Sequence, residues 1–413
     1  MPLSNRLKQI LLIVFFVAIA IGMLIMVYFV FFKPVQPIPV GNANVNGEGG
    51  VLPDTNVNTG PTIIEVPVAN VNAVTGLPDV DTVARGGSTL VTLVTDGGTV
   101  QDVDFVNGAF RYYDPETGEF YVLDADGNKV LLSDKKFKGV EKVKFSNAGK
   151  QAILTFEDGR NLFYDFDKGD QATLPAEFKD IEFSEGGDRI AFEFDGTGNN
   201  KWLGLSNPNG TSITILDDLS EPDMLRLTEV DWSPTGAVVA SVHQPETATT
   251  QKVYFYGQND ERYDVMYIDG YGFDSSWSPQ GDRLLYNSYN PETGYRPLLQ
   301  VASASGGTVT GQYALGLYTW QEKCSFASND SNTLYCGVPN SLPENSGVLP
   351  QLNSSQDTIY KIDLRSGVSS PLAVPTNSDG VNNFRVESMY TSPDGKQLYF
   401  KDEISGQLYS INL

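Results

Sequence analysis

The sequence predicts an all-β architecture, seven blades of four antiparallel strands closed into a ring, preceded by one transmembrane helix. Three observations carry that prediction. A turn string, aromatic-Ser-Pro-x-Gly or a near relative, recurs at Phe145 to Gly149, Phe183 to Gly187, Trp232 to Gly236, Trp277 to Gly281 and Tyr390 to Gly395, with a degenerate copy at Phe326 to Asp330 and a weaker one at Phe105 to Gly108. Measured at the Ser position, with Ala327 standing in for the degenerate copy, the steps are 38, 49, 45, 49 and 65 residues, and Phe105 to Phe145 is 40. Short strands repeating at roughly 40 to 50 residues are the mark of a β-propeller blade. The third observation is a run of 23 uncharged, almost wholly apolar residues from Ile10 to Phe32.

That run is long enough, at about 1.5 Å rise per residue, to cross a bilayer core of about 30 Å. A cleaved signal peptide has a shorter apolar core and a small-x-small exit, whereas this one ends in Tyr28-Phe29-Val30-Phe31-Phe32-Lys33-Pro34. Residues 10–32 are therefore read as an uncleaved anchor. Arg6 and Lys8 precede the span and only Lys33 follows it before Arg85, so the positive-inside bias places residues 1–9 in the cytoplasm and the rest outside. Residues 33–87, with Pro34, Pro37, Pro39 and repeated Asn-Val pairs, read as a flexible linker that cannot bury enough apolar surface to fold.

Residues 88–413 form the propeller domain. A β-rich run, Thr89 to Thr95, precedes the first full blade, which reads as Val100 to Phe105, Ala109 to Tyr113, Glu119 to Leu123 and Lys129 to Leu132. Later blades repeat the plan. The sixth carries an insertion, Gly337 to Asp357, between its second and third strands, and the seventh stops after three strands at Leu413. Pairing Thr89–Thr95 with Gln407–Ile411 would supply the missing strand and close the ring, removing an open edge.

The string Ser-Pro-x-Gly after an aromatic and before an apolar run, at Trp232 to Val239, Trp277 to Leu285 and Thr391 to Tyr399, resembles the repeat of TolB-like (WD40-like) β-propellers. The resemblance covers roughly residues 88–413 and implies a ring of blades around a central channel. It speaks for fold more than function, since such propellers serve as scaffolds, as ligand binders and as the non-catalytic half of some peptidases.

Composition narrows the function. The net charge is −23, and without Arg6, Lys8 and Lys33 the remaining chain carries 25 basic against 51 acidic residues. Nucleic acid and anionic membrane surfaces are poor partners for such a domain. One histidine, His243, and two cysteines leave little for a zinc, haem or iron–sulfur site, and neither a metal nor any other cofactor is expected. Asp124-Ala125-Asp126-Gly127-Asn128 resembles the start of a calcium loop, but Lys135 stands where a bidentate Glu is needed, so an Asp-Gly hairpin turn is the better reading. His243 ends an apolar strand with no Cys or second His to join it, and no Gly-x-Ser-x-Gly or His-Glu-x-x-His string occurs.

Two constellations remain. Cys324 and Cys336 are placed symmetrically about residue 330, so a hairpin centred there sets them opposite one another, and outside the cytoplasm they would form a disulfide. An acidic residue also stands three or four positions before each aromatic landmark: Asp102, Glu141, Asp180, Glu229, Asp274, Glu322 and Glu387. As starts of innermost strands these could ring one channel mouth and bind a cationic ligand, although an acid-rich chain places solvated carboxylates before strands in any case. The expectation is a non-enzymatic scaffold that binds a protein or peptide partner of basic character. The alternative is a propeller enzyme, lyase or glycosidase, working from channel carboxylates in the absence of His or Cys.

Overall fold

The computed structural model describes residues 80–95, 99–106, 108–123, 128–328 and 330–413. The anchor at 10–32, the linker up to 79 and the Asp124–Gly127 turn lie outside these residues. Among the described residues no helix is long and apolar enough to cross a membrane.

The turn string explains the blades. In five copies the serine is buried (Ser146, Ser184, Ser233, Ser278, Ser392), and its hydroxyl accepts the N–H of the residue five positions on, at 2.9–3.2 Å in Gln151, Arg189, Val238, Arg283 and Gln397. Its carbonyl accepts the N–H of the turn glycine, as in Gly281 to Ser278 at 2.8 Å and Gly395 to Ser392 at 2.9 Å. Those glycines sit at φ +67° and +69°, where a Cβ would be strained. Innermost and second strands are thereby stapled at one corner.

Seven four-stranded units result. Blade 1 comprises Gln101–Val106, Ala109–Asp114, Glu119–Leu123 and Lys129–Leu131; the innermost strands of blades 2 to 7 are Val140–Phe145, Phe178–Phe183, Thr228–Val230, Tyr271–Trp277, Cys324–Ala327 and Val386–Thr391. All neighbours within these blades pair antiparallel. Landmark aromatics pack on a neighbouring blade, as Phe145 does on Phe120 of blade 1 with ring centroids 6.0 Å apart and Tyr390 does on Phe110 of blade 1 at 5.8 Å. Aromatic and branched side chains thus fill the spaces between blades.

Closure follows the expectation with one addition. Thr92–Leu93 pairs antiparallel with Leu408–Asn412, Thr92 opposite Ser410, as the outer strand of blade 7. The residues just before it, Ser88–Leu90, pair in parallel with Val374–Thr376 of blade 6. One N-terminal run therefore ties two blades, and Ala84 and Gly86, within the stretch read as linker, donate N–H bonds to Asn412 and Leu372. On the axial side the Tyr390 hydroxyl of blade 7 donates to the Val103 carbonyl of blade 1 at 2.8 Å.

Cys324 and Cys336 face one another in register and form a disulfide, with Cα atoms 4.1 Å apart. The blade 6 insertion is shorter than its sequence implied, because the second strand continues through Pro339 and the third begins at Asp357.

Candidate functional site

The innermost strands bring the recurring acids to the channel, where most are engaged with protein. Asp102 accepts the Val143 N–H at 2.7 Å, Asp180 the Val230 N–H at 2.8 Å and Glu229 the Ser275 N–H at 3.3 Å. Each donor belongs to the next blade and lies two residues before its landmark. The innermost strand bulges here, with register shifts between Gln101 and Asp104 and between Lys179 and Glu182. Asp102 and Asp180 adopt φ 48° and 45°, a left-handed conformation that Asp and Asn tolerate better than most residues. The bulge turns the carboxylate sideways into the neighbouring ladder.

The other members differ. Asp274 accepts from the Gln321 amide at 3.1 Å and shares a hydrogen bond with Glu229. Burial, then Asp274 and Asp231, hold Glu229 well above the usual carboxylate range, and burial raises Asp274 as well. Burial and then Asp274 push Glu322 up to about 7. Glu387 is bound by Lys401 at 2.8 Å within its own blade, and Glu141 is exposed, with Lys142 occupying the bulge register.

At that register blade 6 carries Lys323, which is buried against Asp357 at 3.0 Å with side chains 6% and 0% exposed. Asp357 also accepts the Val386 N–H of blade 7 at 2.7 Å. An inverted pair thus does in blade 6 what Asp102 and Asp180 do elsewhere. Glu322, Glu387, Trp320 and Glu403 line a cleft of about 250 Å³ beside it, partly covered by Pro350 to Asn353 of the insertion.

A second set of charges lies two residues further along the same strands, immediately before the landmarks: Asp104, Lys144, Glu182 and Asp231. Lys144 pairs with Glu182 across blades 2 and 3. Burial alone would lower its ammonium, but Glu182, Asp231 and Asp104 more than offset that and raise it. Burial pushes Asp104 up to about 6 against the pull of Lys144 and Arg111, and burial followed by Glu182 holds Asp231 well above the carboxylate range. Lys144 nonetheless keeps 41% of its side chain open to water. These groups therefore line a narrow wet channel rather than a dry core. One oxygen of Asp231 finds no hydrogen-bond partner among the described residues.

Beyond this level the channel opens between the turns. Phe105, Phe326 and Tyr390 with Pro279, Pro393 and Ser325 line a cavity of about 550 Å³. Burial pushes the Tyr390 phenol up to about 12, and Asp104 beneath it adds to the rise. His243 is held neutral down to about 4 by burial and then Arg226, and its ring lies 6.0 Å from Phe273. Among the described residues no cluster of three or more His, Cys, Asp or Glu is arranged to hold a metal.

Sequence reasoning missed Asp104, Lys144, Glu182 and Asp231. Their signal was a charge inside a strand, next to an aromatic, where an apolar residue is the default.

No family model matches the chain, and no curated protein matches it. Among solved structures it is similar to the β-propeller domain of Cps50 (Swd1) from Myceliophteria thermophila, with a TM-score of 0.52 at 9% identity over 78% of this chain and 100% of that one. It is likewise similar to oligogalacturonate lyase from Vibrio parahaemolyticus, with a TM-score of 0.50 at 12% identity over 78% and 93%. At such identities the likeness shows the fold alone: this is a seven-bladed β-propeller.

Proposed function

We propose that the chain is a membrane-anchored, extracytoplasmic propeller of TolB-like type, a scaffold whose channel receives a basic protein or peptide segment. The observation that carries this reading is the channel wall, where Asp104, Glu182 and Asp231 gather around Lys144, with Arg111 acting on Asp104 and Lys142 on Glu182. Carboxyl groups whose ionisation burial opposes are favoured in their charged form when a cation arrives, so the wall gains attraction as the ligand enters. The acidic domain would also steer a basic partner, with an on-rate that falls as salt screens it beyond about 8 to 10 Å.

Short basic, neutral and acidic peptides titrated into the full-length protein at low and moderate salt test the reading. It expects basic peptides to bind preferentially and to weaken with salt, and equal binding of all three classes would refute it. External protease should cut the propeller from intact spheroplasts, and full protection would refute the topology.

A second reading, a lyase or glycosidase, is favoured by the cleft where Glu322, with a pKa near 7, and Glu387 lie beside Trp320. A buried acid and a second carboxylate beside an aromatic wall suit cleavage of a glycosidic bond. Turnover of an oligosaccharide that disappears in Glu322→Gln would establish it.

A further inference from the structure

We propose that the junction of blades 2 and 3 holds a receptor for a single carboxylate supplied by a ligand, in the place where other junctions carry their own. The site is independent of the basic-segment reading above. At three junctions the acid three residues before the landmark accepts an N–H of the next blade: Asp102 that of Val143, Asp180 that of Val230 and Glu229 that of Ser275. Blade 2 has Lys142 at this position, and an ammonium can only donate. Ile181 stands in blade 3 where Val143 and Val230 stand in theirs, and it lies in the bulge between Lys179 and Glu182 without a register partner. Among the described residues no side chain accepts its N–H.

Blade 6 shows what a lysine at this position requires. There Asp357, from the third strand, binds the Lys323 ammonium at 3.0 Å and accepts the Val386 N–H of blade 7 at 2.7 Å with the same oxygen. Lys142 has no such counterpart: it is exposed and forms no ion pair among the described residues. Instead Lys142, Lys144 and Lys179 line a pocket of about 120 Å³ together with Ile181, Thr155 and Asp180. Lys144 is paired with Glu182, and one oxygen of Asp180 is committed to Val230. That leaves Lys142 and Lys179, which also makes no ion pair among the described residues, as the uncommitted cations.

A carboxylate meets the whole lining. One of its oxygens can accept from an ammonium and from an N–H at once, as that of Asp357 does, and bonds of this charged kind are the stronger ones. The pocket is smaller than the roughly 300–1,000 Å³ that encloses a whole small ligand, so it takes one group and leaves the remainder outside. A cation would be repelled by the ammoniums, and a neutral amide would bring them no counter-charge.

The test titrates acetate, acetyl-Asp-amide, acetyl-Asn-amide and inorganic phosphate into the full-length protein, with binding read by ligand-observed NMR. The same series is run on Lys142→Asp, which puts back the acid of the other junctions, on Lys179→Met, and on Lys361→Met in the third strand of blade 6 as control, with melting temperature as the check on folding. The better-bound carboxylate should exceed acetyl-Asn-amide at least tenfold in affinity. Preference for acetyl-Asp-amide over acetate supports the site with an acidic protein segment as the source, and the opposite preference supports it with a small free carboxylate. Lys142→Asp should lower carboxylate affinity at least tenfold and Lys179→Met several-fold, while Lys361→Met changes nothing. Equal affinity for the acid and its amide in the wild type, phosphate bound more tightly than either carboxylate, or wild-type affinity in folded Lys142→Asp or Lys179→Met overturns the proposal.

Discussion

Two positions on the same innermost strands, two residues apart, behave in opposite ways. The position three before the landmark is an acid in blades 1, 3, 4 and 5 and a lysine, Lys142 or Lys323, in blades 2 and 6, and there Asp102, Asp180 and Glu229 accept backbone N–H groups of the next blade. The position two residues on does not repeat: it is Asp104, Lys144, Glu182, Asp231, Ser276, Ser325 and, in the ladder register of blade 7, Tyr390. What recurs meets a need shared by several blade junctions, which is to satisfy a backbone donor exposed by a bulge. What varies is free of that need, and it is there that charge has accumulated along the channel. Recurrence in a repeat protein is thus a guide to assembly, and departure from the repeat is the better guide to binding.

The sharpest way to break the comparison is Lys323→Met, which leaves Asp357 buried without its counter-ion at the junction of blades 6 and 7. Denaturant unfolding should show a loss of about 3–5 kcal/mol; a loss under 1 kcal/mol would mean this ion pair is dispensable. Reduction of the Cys324–Cys336 bridge should cost about 2–4 kcal/mol in the same measurement. Two alkylatable thiols in protein purified without reductant would remove the bridge altogether.

The direct test sets neighbours against one another. Asp180→Ala removes the acceptor for Val230 and leaves a left-handed alanine, and it should cost about 1–3 kcal/mol. Glu182→Gln, two residues on and facing the wet channel, should cost less than about 1 kcal/mol yet weaken binding of a basic peptide. The reverse pattern would refute the division of labour.

The last effect is a slope. Glu193, on the second strand of blade 3, is 7% exposed, and burial, then Asp180 and Asp195, push it up to about 8. Folded protein therefore holds a proton that the unfolded chain releases above the ordinary carboxylate range. Its contribution is full below about 4.5 and is lost as pH rises toward 8, at no more than about 1.4 kcal/mol per pH unit. Melting of Glu193→Gln followed from pH 5 to pH 9 should lack this component of the decline, and a profile parallel to the wild type would show that Glu193 titrates normally.

The blade count, the strands, the disulfide and the pairing of Thr92–Leu93 with the last strand were legible in the sequence because they depend on local rules. Alternation sets strand faces, Ser-Pro-x-Gly sets corners, and an unpaired edge must find a strand. The acids were also legible as a pattern, but not what they do. A carboxylate before a strand looks the same whether it faces water or a neighbouring N–H, since that partner lies 41 residues away in the case of Asp102 and 50 in the case of Asp180.

The split of the N-terminal run between blades 6 and 7, the Glu229–Asp274 pair and the aromatic mouth were decided only in three dimensions. Each joins residues from different blades, and the physical reason is closure. Separation along the chain carries no information about which side chains meet at the axis until the ring brings its first and last blades together.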